Sequence, residues 1–449
     1  MPESRRGRLE RLEDEHLAPY ALRSSGSTRR HPLEDEGRAF DYRTQFQRDR
    51  DRIVYSRAFR RLRQKAQTGI LPDYEDHRRN RLTHTLEVTQ IARTVARALR
   101  LNEDATEAMA LGHDLGQPPF GPAGERALAD LLSGRRDGRG GPRLGDIGGF
   151  RRSWQSLRVV DRLEKRYGHP GLNLTDAVRE GIFKGADGGT PPEPVDGVRA
   201  GAAPSLEAQV VRLADRIGGA VHDLDDALQA GVVEPARVER LRAVQELRRK
   251  LGDGYPGRAG RFVRANAIHR GLMHLLVTGA ILTSERRVEE WARRHDVRDP
   301  ERYRTVCDGA LAGDEIDVSA AGKRLLQDLE GFLETRVRRG QGPDRVEARA
   351  RRIVLGLMAA YHADPTLVED HVLIRFREAS GASYLRDVPR ERIDDEVDRR
   401  YRTDPRFLRI LADYVAGMTD AFAIVEHGRL HESGAIPIPS VEQLLRERD

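Results

Sequence analysis

The sequence predicts an all-α fold, because apolar side chains recur at helical spacing and no segment alternates as a strand does. One apolar stripe begins after Ser205 and repeats at intervals of three or four residues: Leu206, Val210, Leu213, Ile217, Val221, Leu224 and Leu228. A second stripe consists of His84, Val88, Ile91, Val95 and Leu99. This spacing places the apolar side chains on one face of a helix, so both segments are predicted to pack against a core.

Two more helices and two loops complete the predicted organisation. Asp104 is a good N-cap for a helix that runs towards Gly116. Another helical stripe consists of Phe407, Ile410, Leu411, Tyr414 and Met418. Residues 134–149 and 186–204 are rich in Gly with Arg or Pro, which is typical of loops. Because a helical segment separates them, we expect both loops to be surface excursions from one domain.

The chain has 449 residues, and its composition fits a protein that works in a reducing compartment. Lys and Arg number 78 and Asp and Glu 72, so the net charge of +6 favours an anionic partner without establishing nucleic-acid binding. Cys307 is the only cysteine, which excludes an intrachain disulfide. The longest apolar run, residues 275–282, is far shorter than the ~20 residues that cross a bilayer. We expect a soluble, cytoplasmic protein with no membrane partner.

Four residues form the candidate functional site: His84, the adjacent pair His113 and Asp114, and Asp215. Imidazole and carboxylate groups together suit a divalent ion such as Mn, Mg, Fe, Ni or Zn. Each residue also has a simpler interpretation. His84 continues an apolar stripe, where a histidine is commonly a hydrogen-bonded core residue, and an Asp that follows a His is common by chance.

Asp215 lies off the apolar stripe of its helix. It shares a second face with Gly219, His222 and Asp223, at offsets of four, seven and eight residues. A helix that lines a polar cavity presents such a face of small and acidic residues. Alternatively, neighbouring arginines pair with these acids at the surface. Spacing alone leaves both interpretations open.

Longer motifs resemble one enzyme family over most of the chain. RLTHTLEV, GHDLG and LADRI, at residues 81–88, 112–116 and 213–217, form the H…HD…D pattern of HD-domain metal-dependent phosphohydrolases. Further segments resemble the bacterial deoxynucleoside-triphosphate triphosphohydrolases: LAPYALRS, RTQFQRDRDRIVYSRAFRRLRQKAQ, PPFGPAGERAL, GLNLTDAVREGI, SLEAQVVRLADRI and DYVAGMTDAFA. They follow in order from residue 17 to residue 423.

The resemblance implies an HD-domain helical core with additional C-terminal helices. It also implies roles for individual residues, which do not follow from spacing. The reaction implied is water attack on the α-phosphorus of a dNTP, which releases a deoxynucleoside and triphosphate. The metal ligands implied are His84, His113, Asp114 and Asp215, and Asp114 also counts as catalytic. The substrate contacts implied are Arg81 and Arg216 to the phosphates, Gln67 and Asp223 to the deoxyribose, and Tyr414. A homo-oligomer is implied as well.

The sequence departs from the family pattern close to the expected chemistry. Family members usually read HDLGHPPFGHAGE, whereas this chain reads HDLGQPPFGPAGE, with Gln117 and Pro122 at the two histidine positions. The second histidine is the family's acid-base residue, and proline cannot transfer a proton. Glu125, in the first turn of the following helix, is therefore the remaining catalytic candidate.

Other polar positions change too. The family segment FEHNxQS is FRRSWQS here, with Arg151, Arg152 and Ser153 in place of Glu, His and Asn. Gly185 replaces a common histidine and Gly219 a tyrosine, which would enlarge the pocket. Because loss of an acid-base group typically costs about 10²–10⁴-fold in rate, we expect weakened or altered activity.

We expect an N-terminal arm over residues 1–42, an HD-domain core over 43–230 and a C-terminal helical region over 231–449. The preferred function is dNTP hydrolysis. Two alternatives stay open. One is a phosphodiesterase or nucleotidase that acts on another phosphoester. The other is a catalytically weak protein that binds a nucleotide or nucleic acid, which Arg151, Arg152 and the Arg-rich residues 135–143 would suit.

Overall fold

A computed structural model describes residues 4–33, 42–67, 79–134, 144–186, 191, 193–199, 201–255, 260–339 and 341–431. Within these ranges the chain forms helices and isolated β-bridges but no strand, which confirms the predicted all-α fold. The first ten α-helices are α1 (Arg5–His16), α2 (Gln45–Val54), α3 (Arg57–Arg61), α4 (Arg81–Ala98), α5 (Glu103–Gly112), α6 (Pro122–Leu132), α7 (Arg152–Arg158), α8 (Asp176–Gly185), α9 (Leu206–Gln229) and α10 (Pro235–Val238). The others are α11 (Arg242–Leu251), α12 (Arg261–Arg294), α13 (Pro300–Ala310), α14 (Ala320–Arg336), α15 (Gln341–Ala363), α16 (Asp370–Ser380), α17 (Ile393–Glu396), α18 (Pro405–Gly417) and α19 (Asp420–His431). Among the residues described, none of these helices combines the length and the apolar character that a membrane span requires.

Packing divides the chain into two compact units. The first unit comprises Met1–Gln117 and Arg151–Val346, and the second comprises Pro118–Phe150 and Glu347–Asp449. His84, His113, Asp114 and Asp215 all belong to the first unit. The domain boundaries expected after residues 42 and 230 stay a prediction.

Helices α4 and α9 pack against each other in the first unit and carry two of the candidate ligands. Asn80 caps α4: its side chain accepts a hydrogen bond from the Thr83 amide, and the Thr83 hydroxyl accepts one from the Asn80 amide. Ser205 caps α9 in a similar way by accepting from the amide of Ala208. Every apolar residue of both predicted stripes is buried, so the predicted helices and their core faces are confirmed.

Helix α5 begins and ends earlier than predicted. Its N-cap is Asn102, whose side chain accepts from the Ala105 amide, so Asp104 lies inside the first turn. The helix ends at Gly112 rather than continuing towards Gly116. His113 and Asp114 therefore lie in a turn that follows the helix, where both side chains can leave the helical surface.

The N-terminal residues 4–33 pack on the first unit of the same chain. The Ala18 amide donates to the Arg100 carbonyl at 2.8 Å, and the Leu22 amide donates to Oε1 of Glu207 at 2.8 Å. Arg29 forms an ion pair with the buried Asp49 at 2.6 Å. These contacts tie the N-terminal segment to the helices that carry the candidate site.

The second unit has its own apolar core between α6, α15, α16 and α18. Leu128, Leu357, Phe376, Phe407 and Leu411 are all buried there. The predicted stripe on α18 is confirmed, with Met418 as the C-cap residue. Of the two predicted loops, the Arg-rich residues 135–143 and residues 187–190, 192 and 200 lie outside the described residues. The described remainder of both loops contains no helix.

Candidate metal centre

Three of the four predicted ligands meet in a single cluster. The ligand atoms of His84, His113 and Asp215 all lie within 4.8 Å of one another. Nε2 of His84 is 3.1 Å from Oδ1 of Asp215, and Nε2 of His113 is 3.5 Å from the same oxygen. Atoms that bind one ion at ~2.0–2.3 Å lie roughly 3–3.7 Å apart, so these separations fit a shared divalent ion.

Asp114 adjoins this cluster. Its Oδ2 lies 3.6 Å from Nε2 of His113, and the side chain is fully buried. Asp114 therefore lies beside the three clustered residues, where its carboxylate pairs with two arginines. Whether Asp114 also binds the ion stays a prediction.

Two glycines allow the His113–Asp114 turn to form. A Cβ atom on Gly112 would meet Cδ1 of Ile182 at 2.4 Å, and one on Gly116 would meet the Ser156 amide nitrogen at 2.1 Å. The Ser156 hydroxyl donates to the His113 carbonyl at 2.9 Å and accepts from the Gly116 amide at 2.9 Å. The turn is thereby fixed against α7, which begins at Arg152.

The hydrogen-bond pattern of His113 leaves one ring nitrogen for a metal. Its Nδ1 lies 2.6 Å from the Ala110 carbonyl oxygen, which can only accept, so Nδ1 carries the proton. In the neutral ring Nε2 then has a free lone pair, and this atom is buried with no hydrogen-bond partner among the described residues. A buried, unpaired imidazole nitrogen that faces two carboxylates is a suitable metal ligand. The residues present thus fit a divalent ion.

Two arginines neutralise the acids of this site. Arg81, which is almost completely buried, donates to Oδ2 of Asp114 at 2.9 Å and to the carbonyls of Ala66 and Gln67. Arg152 bridges the two acids, with NH1 at 3.1 Å from Oδ1 of Asp114 and NH2 at 3.2 Å from Oδ2 of Asp215. The positions of both arginines follow from tertiary packing.

These charges determine the ionisation of the site. Burial alone would raise the pKa of the Asp114 carboxyl, but the charges of His113 and Arg81 hold this pKa below its usual range. Burial would also raise the pKa of Asp215, whereas Arg152 and His113 lower it. Both residues are therefore carboxylates at neutral pH. Burial lowers the pKa of His113, but the two carboxylates more than offset this and raise it above its ordinary value.

A series of polar contacts supports His84 from the side opposite Asp215. Its Nδ1 lies 3.1 Å from Nδ1 of His222, and Nε2 of His222 lies 3.1 Å from Oε2 of Glu87. Glu87 is held in turn by Arg79 at 3.1 Å. Burial, together with the neighbouring His84 and the positive charge of Arg79, lowers the pKa of His222 to about 2, so this ring is neutral.

The predicted substrate residues of the first unit are distributed over different surroundings. Gln67 is buried, and its Oε1 has no hydrogen-bond partner among the described residues. Asp223 is also buried and pairs with Arg338 at 2.6 Å. Arg216 is exposed on α9 and pairs with Glu330 at 2.7 Å. Their substrate contacts stay predictions, as does that of Arg81, whose guanidinium already donates to three protein oxygens.

Glu125 and Tyr414 belong to the second unit. Glu125 lies in the first turn of α6, which begins with Pro122 as its first residue after the cap Gly121. Tyr414 on α18 is partly buried and donates its hydroxyl to Oε1 of Glu369 at 3.1 Å. Their predicted roles in catalysis and substrate binding stay predictions.

The two glycines expected to enlarge the pocket differ in the space around them. A Cβ atom on Gly219 would meet nothing within 4 Å, so this position leaves open space one turn after Asp215. A Cβ atom on Gly185 would instead lie 3.3 Å from the Ala208 carbonyl oxygen. The expectation is wrong for Gly185, because the glycine allows α8 to pack closely on α9 rather than opening a space.

Sequence reasoning missed the roles of Arg152, His222 and Glu87. The helical offset of seven residues already placed His222 on the same face as Asp215, but its contact with His84 was not predicted. Glu87 follows His84 by three residues on α4, which is also a same-face spacing. Arg152 is separated from the two acids by 38 and 63 residues, and its position gives no local signal.

Comparisons with known proteins agree with this geometry. The HD domain family matches residues 81–220, which include all four candidate ligands. The phosphohydrolase-associated domain family matches residues 382–429, which include Tyr414.

Similar proteins cover almost the whole chain. A protein of Syntrophus aciditrophicus is 37% identical over 420 residues, which is 93% of this chain and 94% of that protein. One of Ralstonia nicotianae is 36% identical over 92% of this chain and 94% of its own length. One of Caldanaerobacter subterraneus is 35% identical over 97% of this chain and 96% of its own length. All three carry the name deoxyguanosinetriphosphate triphosphohydrolase-like protein.

Proposed function

The chain belongs to the deoxyguanosinetriphosphate triphosphohydrolase-like family of HD-domain proteins, and from that premise we propose that it hydrolyses deoxynucleoside triphosphates to a deoxynucleoside and triphosphate. Family membership makes the protein a metal-dependent phosphohydrolase. The observation that supports the finer proposal is the cluster of His84, His113 and Asp215, whose ligand atoms lie within 4.8 Å of one another.

The proposed reaction consumes one water molecule for each dNTP. The water oxygen forms a bond to the α-phosphorus, and the bond between that phosphorus and O5′ of the deoxyribose breaks. The departing O5′ takes up a proton to become the hydroxyl of the deoxynucleoside. The protein must therefore hold a polyphosphate, place a water molecule and supply a proton.

The metal would be held by His84, His113 and Asp215, with Asp114 as the fourth proposed ligand. A divalent ion bound there supplies Lewis-acid polarisation of the phosphate. The chain itself fixes the lone pairs: the Ala110 carbonyl orients His113, and His222 orients His84. Arg81 holds Asp114 in place through a buried ion pair of 2.9 Å.

Proton delivery is the step in which this chain differs from its family. Three positions that carry histidine in the family pattern are Gln117, Pro122 and Arg152 here. None of these side chains exchanges a proton near neutral pH. Glu125 is the proposed donor, and we expect turnover to be slower by about 10²–10⁴-fold than with a well-placed acid-base group.

A second candidate function is hydrolysis of another phosphoester. The open space beside Gly219 favours it, because a substrate of different shape could approach Asp215 along α9. The nucleic-acid-binding alternative gains no comparable support. Arg152 is engaged with two carboxylates, and residues 135–143 lie outside the described residues.

The test is product analysis with the full-length protein. Each dNTP would be incubated with protein loaded with Mn²⁺, and the products separated by anion-exchange chromatography. Triphosphate and deoxynucleoside in equal amounts are expected. Pyrophosphate or orthophosphate as the first product would contradict the proposal, and cleavage of bis(p-nitrophenyl) phosphate without dNTP cleavage would favour the second candidate. Asp215→Asn should remove the activity, whereas Asp296→Asn, at an exposed acid elsewhere in the first unit, should not.

A further inference from the structure

Arg152 occupies the space between the two acids of the candidate metal centre. Its guanidinium nitrogens lie 3.1 Å from Asp114 and 3.2 Å from Asp215. The backbone beneath it is fixed, because Ser156 of the same helix binds both ends of the His113–Gly116 turn. The arginine is therefore anchored at its base, and its charged end spans two of the four proposed ligands.

The two carboxylates and the two guanidinium groups of the site balance in charge without a divalent ion. Asp114 and Asp215 contribute two negative charges, and Arg81 and Arg152 contribute two positive charges. A divalent ion at the same carboxylates would add two further positive charges within a few ångströms of the guanidinium, an unfavourable interaction at low dielectric. Metal binding is thus opposed unless one arginine leaves or an anion enters.

Of the two arginines, Arg152 is the more exposed and is the one expected to move. The Arg81 side chain is only 4% exposed and donates to three protein oxygens. The Arg152 side chain is 22% exposed, so its charged end can reach solvent by rotation of side-chain torsions. A guanidinium that is released from two carboxylates retains a planar donor geometry that matches phosphate oxygens equally well.

We propose that Arg152 couples metal binding to anion binding. Before the metal binds, Arg152 is the counter-ion of Asp114 and Asp215. When the metal binds, its guanidinium transfers to the substrate polyphosphate. The inference rests on the proposed function, since it assumes that these acids bind a metal. It predicts that the metal and a phosphate-like anion each strengthen binding of the other. It also assigns a role to a position where the family pattern has a histidine, which carries no permanent charge.

The test measures metal affinity directly. Metal-stripped full-length protein would be titrated with Mn²⁺, and free Mn²⁺ followed by electron paramagnetic resonance. Arg152→Gln should bind Mn²⁺ at least about tenfold more tightly than the unaltered protein, because a charge at this distance changes such equilibria by roughly one to three powers of ten. Arg152→Lys, which keeps the charge, should stay close to the unaltered protein. Arg162→Gln removes an exposed arginine that follows α7 and is the control for a general change in charge.

Sulfate then tests the coupling, because it resembles phosphate in shape and charge. At constant ionic strength, replacing chloride by sulfate should tighten Mn²⁺ binding to the unaltered protein but have little effect on Arg152→Gln. Equal Mn²⁺ affinity of the two proteins, or an equal response to sulfate, would overturn the inference and leave the proposed function intact. Failure of every variant to bind Mn²⁺ while thermal melting shows a folded protein would contradict the proposed function itself.

Discussion

The Nδ1 atoms of His84 and His222 lie 3.1 Å apart, so one ring donates the shared proton and the other accepts it. Glu87 favours one arrangement, because its carboxylate Oε2 lies 3.1 Å from Nε2 of His222 and stabilises a proton on that nitrogen. A neutral His222 that donates through Nε2 can only accept at Nδ1. His84 must then be protonated at Nδ1, which leaves its Nε2 lone pair directed towards Asp215.

The contact between His222 and His84 predicts that changes at His222 weaken metal binding. His222→Ala removes the acceptor that orients His84, and Mn²⁺ affinity should fall by about 10–100-fold, as is usual when a partner of a ligating histidine is lost. His222→Asn offers a carbonyl oxygen in place of the ring nitrogen and should restore part of the affinity. The measurement is Mn²⁺ titration of the metal-stripped protein. The control is His269→Ala, which changes a ring that neighbours His222 but takes no part in these contacts. Equal Mn²⁺ affinities in all variants would show that His84 needs no support from His222.

Asp114→Ala should remove bound metal and hydrolysis together, but its effect on stability differs from that expected of a solvent-open ligand. Asp114 is fully buried against Arg81, and removal of one partner of a buried ion pair costs about 3–5 kcal/mol. The melting temperature should therefore fall while most helical circular dichroism is retained below the transition.

Metal content by mass spectrometry and melting curves check this prediction. Asp114→Asn keeps a hydrogen-bond acceptor for Arg81, and it should lose metal with a smaller loss of stability. An Asp114→Ala protein that kept full activity would show that the metal mechanism is wrong. Asp296→Asn is again the matched control.

Glu207 should make the folded state less stable as pH rises. Burial raises its pKa from 4.5 to about 7, although its Oε1 accepts from the amides of Leu22 and Asn102. Between these values the unfolded chain releases the proton while the folded protein keeps it. The stabilising contribution is therefore complete below pH 4.5 and is lost progressively up to pH 7, on the order of 3 kcal/mol.

Glu207→Gln tests the sign of this effect. The amide keeps an oxygen for the two backbone donors but does not titrate, so its melting temperature should change less between pH 5 and pH 7.5 than that of the unaltered protein. Glu301→Gln, at an exposed acid with no such burial, should follow the unaltered protein. Parallel pH profiles for all three proteins would mean that Glu207 is ionised throughout.

The helices and the clustering of His84, His113 and Asp215 could be predicted from sequence. The apolar stripes indicate the buried faces of α4 and α9, and the H…HD…D motif includes the three residues whose ligand atoms lie together. The end of α5 could not be predicted, since Gly116 is needed for a close approach to Ser156 that only the folded protein reveals. The Arg152 bridge is a tertiary contact of the same kind, and a segment that reads FRRSWQS does not indicate which arginine turns inwards.

The last prediction concerns Pro122 and the missing acid-base group. Pro122 is the first residue of α6, as the sequence indicated, where the absent N–H has no helical partner. Histidine is therefore acceptable to the helix there, at a cost of ~0.4–1 kcal/mol from the greater freedom of the unfolded chain. If this position supplies the proton to the leaving oxygen in related enzymes, Pro122→His should raise kcat for dNTP hydrolysis with little change in KM, because proton transfer contributes only in the transition state. The increase in kcat should be modest for Pro122→His alone and more than additive with Gln117→His and Arg152→His, since groups that act as a unit do not contribute independently.

The measurement is triphosphate release at equal Mn²⁺ loading. The control is Ala123→His, which places the same ring one residue further along the helix. If the unaltered protein already hydrolyses dNTPs rapidly and Pro122→His leaves this rate unchanged, another group protonates the leaving oxygen. Glu125 is the first candidate, and Glu125→Gln would test it.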